Sequence, residues 1–537
     1  RNPADAGTAS PLRVGRVSLH VPLPRITLSG EGASDAGAVR CRLDAGPVRA
    51  EAPGVDLRVK AVTLDGDIRF EGAEEVRGTL KLAGEEATLT AGPAKSRTSA
   101  RLPSLALSGD AIFSRKGGLR FDGKADLAGA AVTVPGSRTS VEDIRLSLPL
   151  TWPWGASEAA GSLSFSALRW DRQDMGALKG RLHPRPDGLR FDGDFAARLL
   201  PGLVLKLSGE SPFLAPEKPS GLAWSARYRP ATPLDLGRFA KTAKGMTVEG
   251  TLSVDGRMDF GGGIAPGGGM TASLAGGRIT AKARDMRMED IRLDLHFPAL
   301  PTLRSAPDQR LAVGKATLGK IRIEDVGLRF QIEPDTAVLI EKGRFTWCGG
   351  TVSTQSLRIA PDMADVELIL YCDRLNLARL LDQLGAARAE GRGAVNGRLP
   401  IRLRNGTVRF DDGFLYSTPG DGGVIHVTEA RVLTAGIPEN TPQFAQIDLA
   451  VEALKSYEYA WAKLGITTEG ENLRLNLQFD GKPTAPLPFV YQKEFGGFVR
   501  VAADHPGSVF QGIRLDVNLG LPLDKILRYR GLMDNIQ

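Results

Sequence analysis

The strongest constraint on this chain is the alternation of apolar and polar residues, which recurs almost from end to end after Leu12. A period of two places every second side chain on the same face of a β-strand. Asp-Gly, Asn-Gly and Gly-Gly turn signals interrupt the alternation about every 8 to 15 residues. The pattern predicts an all-β protein. Its clearest runs are Ile291-Leu293-Leu295-Phe297, Val366-Leu368-Leu370, Leu473-Leu475-Leu477-Phe479 and Ile513-Leu515-Val517-Leu519.

The segment AEGRGAVNGRLPIRLRNGTVRFDDGFLYS, residues 389–417, shows the pattern most completely. Apolar residues alternate with arginines, the chain turns at Asn405-Gly406, and the alternation resumes on the other side. Asn-Gly between two alternating runs predicts a tight β-hairpin. We expect one apolar face on this hairpin, formed by Leu399, Ile401, Leu403, Val408 and Phe410.

Two series of short motifs suggest an internal repeat. A triplet of apolar residue, any residue and Phe (Met-Asp-Phe at 258) begins at 119, 189, 258, 328, 408 and 477, at spacings of 70, 69, 70, 80 and 69 residues. LDLGRF at 234, LNLARLL at 375 and LPLDKIL at 521 lie about twice as far apart. In LNLARLL and the residues after it, Leu377, Leu380, Leu381 and Leu384 have the spacing of an amphipathic helix. The series predict a quasi-repetitive β array with a short helix in every second repeat. The alternative is that short sequences common in β-strands fall at these spacings by chance.

Composition excludes several classes of function. The 537-residue chain carries a net charge of +7, but its basic residues are interleaved with acidic ones, so we expect no nucleic-acid partner. Aromatic residues make up only 6% of the chain, which argues against stacking platforms. Of the three cysteines, Cys348 and Cys372 are predicted to be buried thiols, with a disulfide between them as the alternative.

The sequence offers no pattern for catalysis or for a metal. The five histidines are scattered and occur in no HExxH motif, and the paired carboxylates lie at turn positions. We therefore predict that the protein is not an enzyme, has no catalytic or metal-ligating residues and needs no cofactor. No stretch approaches 18 uncharged apolar residues, so the sequence contains no predicted membrane-spanning helix.

The apolar strand faces are thus the candidate functional feature. They could pack two sheets together in an ordinary sandwich, or they could line one long sheet curled into a trough. An open apolar trough would be an unacceptable surface unless it held a ligand, and an acyl chain fits such a lining. The candidate lipid-binding residues are Ile291, Leu293, Leu295, Ile321, Ile323, Leu328, Phe330, Val366, Leu368, Leu370, Leu399, Ile401, Leu403, Val408, Phe410, Leu473, Leu475, Leu477, Phe479, Ile513, Leu515, Val517 and Leu519.

A family resemblance covers a little under half of the chain, from about Ile291 to Gln537. It rests on an ordered set of short matches, and the chain there resembles the AsmA-like bacterial intermembrane lipid transport proteins of the YdbH type, once labelled a dicarboxylate-transport domain. The matching segments are KATLGKIRIEDVGLRFQI, GRFTWCGGTVSTQSLRI, ADVELILYCDRLNLARLLDQL, AEGRGAVNGRLPIRLRNGTVRFDDGFL, LKSYEYAWAKLGITTEGENLRLNLQFDGKP and FQGIRLDVNLGLPLDKILRY.

This resemblance implies an elongated antiparallel β-sheet folded like a taco, whose hydrophobic groove conducts phospholipid across the periplasm of a two-membrane bacterium toward the outer membrane. It also implies an inner-membrane anchor, an N-terminal helix that is absent from this chain, and a small outer-membrane lipoprotein as partner near the C-terminal end. We expect a flexible leader at 1–11, N-terminal groove repeats at 12–284 and a YdbH-type groove region at 285–537.

Two other functions stay open from the sequence. One is a periplasmic structural or export scaffold, a β-solenoid with a closed core and no lipid. The other is a hydrolase on a β scaffold, which would require a histidine or carboxylate pair converging in a cleft.

Overall fold

A computed structural model of the chain shows an all-β groove fold, whose described residues form antiparallel strands and two α-helices. The predicted leader, residues 1–11, lies outside the described residues, as does the Asn405-Gly406 turn. The structure describes residues 12–522 except for 15–16, 22–23, 33–35, 53, 72–74, 93–96, 156–157, 172, 239–242, 361–364, 405–406, 430–441, 495, 503–504, 509 and 511.

The chain forms two compact units, and the first, unit 1, comprises Arg1–Pro230 and Ser253–Met270. Its described residues contain one short 3-10 helix, Pro135–Ser137, and otherwise strands and their connections. The strands that lie wholly in unit 1 are β1 Leu12–Val14, β2 Val17–His20, β3 Arg25–Gly32, β4 Ala36–Ala45, β5 Val48–Ala52, β6 Val55–Glu71, β7 Glu75–Ala91, β8 Thr98–Ser114, β9 Gly118–Val134, β10 Thr139–Trp152, β11 Gly161–Trp170, β12 Gln173–Arg185, β13 Gly188–Ala197, β14 Val204–Ser211 and β15 Ser220–Tyr228.

The second unit, unit 2, comprises Ala231–Leu252 and Thr271–Gln537, and β17 and β18 run from one unit into the other. The remaining strands are β16 Leu234–Asp235, β17 Met246–Gly261, β18 Ile264–Ala281, β19 Met286–Leu300, β20 Gln309–Leu318, β21 Ile321–Ile332, β22 Val338–Trp347, β23 Gly350–Thr354, β24 Leu357–Ile359, β25 Asp365–Asn376, β26 Arg388–Arg392, β27 Ala394–Arg404, β28 Thr407–Phe410, β29 Gly413–Tyr416, β30 Gly423–Glu429, β31 Tyr457–Glu469, β32 Asn472–Pro483, β33 Phe489–Gln492, β34 Gly497–Arg500 and β35 Ile513–Pro522. Among the described residues, unit 2 contains the helices α1 Leu377–Gln383 and α2 Pro442–Leu454 and the 3-10 turns Leu236–Arg238 and Lys282–Arg284.

Thirty-three of the described strands belong to one sheet, and β33 and β34 form a separate hairpin. Most consecutive strands pair antiparallel, as expected from short connections between alternating runs. Register shifts interrupt several ladders, and residues in the left-handed region mark them: Asp143 in β10, Asp325 in β21 and Arg374 in β25. Such bulges bend a strand and let the apolar residues on either side keep facing the same way.

The structure confirms the predicted hairpin and the first predicted helix. β27 pairs with β28, so that Ile401 lies opposite Phe410 and Leu403 opposite Val408. The helix predicted in LNLARLL and the residues after it is α1, which follows β25 with Asn376 as its N-cap. In the first copy of that motif the described residues include the 3-10 turn Leu236–Arg238, and residues 239–242 lie outside the described part. In the third copy the residues from 523 onward also lie outside it.

Unit 2 contains a helix that the alternation did not predict. α2 begins at Pro442, a residue that favours the first turn of a helix, and it buries Leu449, Ala453 and Leu454. Together with α1 and the β33–β34 hairpin, it packs on the apolar face of the sheet and forms the main buried core. By contrast, the buried large apolar side chains in the described part of unit 1 are Leu178, Leu182, Leu203 and Tyr228.

The cysteines are free thiols, and Cys348 and Cys372 are buried, as predicted. Burial raises the pKa of each of these two thiols to about 12, because the apolar surroundings disfavour the thiolate. They are therefore small core residues of unit 2 at neutral pH.

Candidate functional site

One face of the sheet in unit 1 is a long apolar surface, which we call the apolar floor. Two adjacent rows of residues cross the sheet from β4 to β15, and the residues of each row lie opposite one another on neighbouring strands. Every member of both rows is apolar or glycine. One row is Leu43, Leu64, Leu82, Leu107, Ala125, Leu148, Gly161, Leu182, Phe191, Gly209 and Leu222, and the other is Ala45, Val62, Gly84, Leu105, Leu127, Leu146, Leu163, Gly180, Gly193, Leu207 and Trp224.

The floor is only half-covered. Leu64, Leu82 and Leu148 are intermediate in exposure, and Leu105 is 37% exposed. The described residues of unit 1 contain no α-helix that could cover these side chains. A continuous apolar surface of this length on a protein marks a site for a ligand or partner.

Glycines under aromatic rings shape the floor, and they explain the recurring LRFDG motif. In the copy at 119, Phe121 precedes Gly123 by two residues on the same face, and Gly109 lies opposite Gly123 on β8. A Cβ built on Gly123 would lie 2.7 Å from Phe121 Cζ and one on Gly109 would lie 2.8 Å from it, so the ring rests over the glycine pair. In the copy at 189, the ring of Phe191 rests in the same way over Gly180 and Gly193.

The opposite face of the same strands is charged and solvent-exposed. Arg42 pairs with Asp44 at 3.3 Å and with Asp65 on the neighbouring strand at 3.7 Å. Hydrogen bonds from Arg49 and then from Arg58 lower the pKa of Asp56 to about 2. These exposed ion pairs contribute little to stability, but they keep this face soluble and leave the floor as the apolar side.

In unit 2, registers place many of the predicted groove residues on common cross-strand rows. Leu293 pairs with Leu311, which pairs with Leu328; Val366 pairs with Leu403, and Leu368 with Ile401. The predicted residues with partial exposure are Leu293, Leu295, Ile321, Ile323, Leu328, Phe330, Val366, Leu368, Leu370, Ile401, Leu403, Val408, Phe410, Ile513 and Val517.

The other predicted residues are buried. Ile291 is buried in β19, and the rest lie in the core of unit 2, which α1, α2 and the β33–β34 hairpin help to form. A small cavity of about 30 Å³ remains in this core, and its lining, which includes Leu381, Leu454 and Phe479, is apolar. The buried predicted residues of the core are Leu399, Leu473, Leu475, Leu477, Phe479, Leu515 and Leu519.

Sequence reasoning predicted groove repeats at 12–284 but named none of the floor residues of unit 1 as candidate lipid-binding residues. The signal was present, because LRFDG recurs there and β6 to β9 carry long runs of small and apolar residues. Many floor positions are Gly or Ala, however, and these residues do not stand out as apolar in an alternating pattern. The cross-strand register was needed to show that they continue the rows of leucines.

An antiparallel sheet with one charged face and one long, partly exposed apolar face defines a lipid-binding groove protein. The family model described as YdbH-like, "Intermembrane phospholipid transport protein YdbH", matches residues 15–483 of this chain. The chain therefore belongs to the YdbH-like family of intermembrane phospholipid transport proteins. No curated protein and no solved structure matches the chain significantly.

Two further observations bear on the predicted properties. Among the described residues, no helix has the length and apolar character needed to cross a membrane. Within the same residues, no group of three or more His, Cys, Asp or Glu side chains is arranged to hold a metal ion.

Proposed function

We propose that the apolar floor of unit 1 and the partly exposed predicted residues of unit 2 hold phospholipid acyl chains while the lipid moves between the two membranes. The observation that carries this proposal is the pair of apolar rows across eleven strands, most of whose members are partly exposed on the side opposite the ion pairs. Family membership supports the same function. The residues of both units that contact the lipid remain a prediction.

The energetics favour a continuous surface over separate binding sites. Moving an acyl chain into water costs about 0.8 kcal/mol for each CH₂ group. A lipid whose tails stay on leucine and phenylalanine side chains avoids this cost, while its headgroup stays in water. Transport along the floor therefore requires no nucleotide or other cofactor for the lipid to remain bound.

We further propose that the protein works in the periplasm, delivers lipid toward the outer membrane, is tethered to the inner membrane and meets a small outer-membrane lipoprotein near its C-terminal end. The intermembrane character of the family supports the periplasmic location. The tether and the lipoprotein rest on the family resemblance. The same resemblance supports a transport role without catalysis.

A scaffold role without lipid cargo is the second candidate, and the buried core of unit 2 favours it. The two roles differ in what the floor of unit 1 does. A transport protein needs this floor to remain apolar, whereas a scaffold needs only its strand pairing.

Leu107→Asp tests the proposal, with Ser108→Asp as its matched control. The two residues are neighbours in β8, but Leu107 lies in the floor and Ser108 lies opposite Lys81 and Lys124 on the charged face. In a transfer assay between donor and acceptor vesicles, we expect Leu107→Asp to slow lipid transfer by about tenfold or more and Ser108→Asp to leave it unchanged. Equal transfer by both variants, with circular dichroism showing both folded, would contradict the proposal.

A further inference from the structure

A second, polar cavity of about 550 Å³ lies in unit 2, where several strands end. It is formed by the beginning of β23, the end of β25, the start of α1 and the junction of β26 and β27. Its volume is within the ~300–1,000 Å³ typical of small-molecule sites. The charged residues that line it are Asp373, Arg374, Arg379, Arg392 and Asp421.

The charges in this cavity are not neutralised by one another. Other arginines of unit 2 are paired with carboxylates, as Arg402 is with Asp411 at 3.3 Å and Arg358 is with Glu333 at 2.7 Å. Within the described part of the chain, the three cavity guanidiniums lie within ion-pair distance of no carboxylate. A cavity that holds three unpaired guanidiniums and two unpaired carboxylates is suited to a ligand that carries charges of both signs.

The cavity also borders the apolar core directly. Arg374 is followed by Leu375, which is fully buried, and Arg379 lies between the buried residues Ala378 and Leu380 of α1. The same helix supplies Leu381 to the small apolar cavity inside the core. α1 therefore presents charge on one side and an apolar surface on the other, within one or two residues.

Glycines hold the cavity open. A Cβ on Gly350 would lie 2.5 Å from the backbone of Arg374, so only glycine allows β23 and β25 to approach this closely. Gly349 has a φ of +79°, and a Cβ there would lie 3.2 Å from a guanidinium nitrogen of Arg379. The absence of side chains at these positions leaves the arginine tips accessible.

We propose that this cavity binds the zwitterionic, phosphate-bearing headgroup of a phospholipid whose tails lie on the apolar side of the sheet. Arg374, Arg379 and Arg392 bind the phosphodiester, because guanidinium groups match phosphate oxygens in charge and geometry. Asp373 and Asp421 bind the ammonium group. This inference rests on the proposed function, because it assigns the headgroup to a lipid that the groove already holds.

Binding of short-chain lipids to the full chain, measured by titration with native mass spectrometry, tests the inference. The probes are dihexanoyl phosphatidylethanolamine, dihexanoyl phosphatidylglycerol, O-phosphoethanolamine and inorganic phosphate. We expect the zwitterionic lipid to bind most tightly of the four probes. Arg379→Gln should lower the affinity for this lipid by about tenfold or more. Asp421→Asn should weaken the binding of the zwitterionic lipid and leave the binding of the other probes unchanged. Arg409→Gln, an exposed residue on β28 outside the cavity, is the matched control and should change nothing.

The outcomes separate this inference from the proposed function. If the unaltered chain binds lipid and the Arg374→Gln, Arg379→Gln and Arg392→Gln variants bind it equally well, the cavity has no role and lipid transport stands. If the unaltered chain binds no lipid at all, the proposed function fails first. Equal binding of O-phosphoethanolamine or inorganic phosphate and of the lipid would assign the cavity to a soluble phosphate compound and overturn the headgroup assignment.

Discussion

At the scale of single residues, the floor depends on where side chains are missing as much as on where they are present. Phe121 and Phe191 lie flat because the positions beneath them are glycine. A flat ring widens the apolar surface without projecting into the space above it. The LRFDG motif thus places an aromatic ring over glycine and keeps the apolar surface even. Its aspartate lies on the other face and remains in water.

Gly123→Val tests this role of glycine. The new side chain would collide with Phe121 and with the backbone carbonyl of Ser108, so the ring must leave the floor. We expect the free energy of unfolding to fall by about 1–3 kcal/mol, the usual cost of overpacking. Ala128→Val, on the exposed face of the same strand, is the control and should change stability by less than about 0.5 kcal/mol in urea denaturation.

The buried thiols give a pH-dependent prediction. Cys348 and Cys372 have pKa values of about 12, whereas an unfolded thiol has a pKa of about 8.5. The folded state therefore keeps these protons longer than the unfolded state, and stability should fall as the pH rises from about 8.5 toward 12. At pH 8, iodoacetamide should modify the partly exposed Cys41 first. Rapid modification of Cys348 or Cys372 in the folded protein, detected by peptide mass spectrometry, would contradict their burial.

At the scale of elements, α2 and the β33–β34 hairpin act as one cover on the core of unit 2. Arg500 at the end of β34 pairs with Asp448 at 2.9 Å and with Glu452 at 3.2 Å, both on α2. Its guanidinium also lies 5.0 Å from the ring centre of Phe489 in β33. One side chain thus joins the helix to both strands of the hairpin.

Arg500→Ala should loosen this cover without unfolding the sheet. We expect faster amide hydrogen exchange in α2 and in the hairpin, with a loss of about 1 kcal/mol or slightly more in their local stability. Lys455→Ala is the matched control, because Lys455 pairs with Glu452 at 2.9 Å but links no second element. Unchanged exchange in the Arg500 variant, or the same change in both variants, would show that the ion pairs do not hold the cover in place.

The sequence predicted the strands, the 389–417 hairpin and α1 because alternation, turn residues and helical spacing are local signals. It did not predict α2, although Phe444, Ile447, Val451 and Leu454 have a helical spacing. Nor could it distinguish the partly exposed Leu368 from the fully buried Leu475. Both residues occupy the same position in an alternating strand, and only a distant helix or hairpin decides whether that face is covered.

At the scale of the whole molecule, both units contain the same kind of sheet, but the apolar face is buried to different extents in the two. In unit 1 the apolar floor remains partly exposed, and in unit 2 the core residues pack beneath two helices and a hairpin. Family membership extends over residues 15–483, so it includes most of both units. We propose that the partly exposed face is the surface along which phospholipid moves.

Site-specific photocrosslinking in cells tests this claim most directly. A photoreactive amino acid is placed in turn at Leu82, Leu107 and Leu148 in the floor, and at Lys81 and Ser108 on the charged face of the same strands. After irradiation and purification, we predict covalently attached phospholipid at all three floor positions and at neither control position. Attachment at both faces alike, or at none of the floor positions, would contradict the claim.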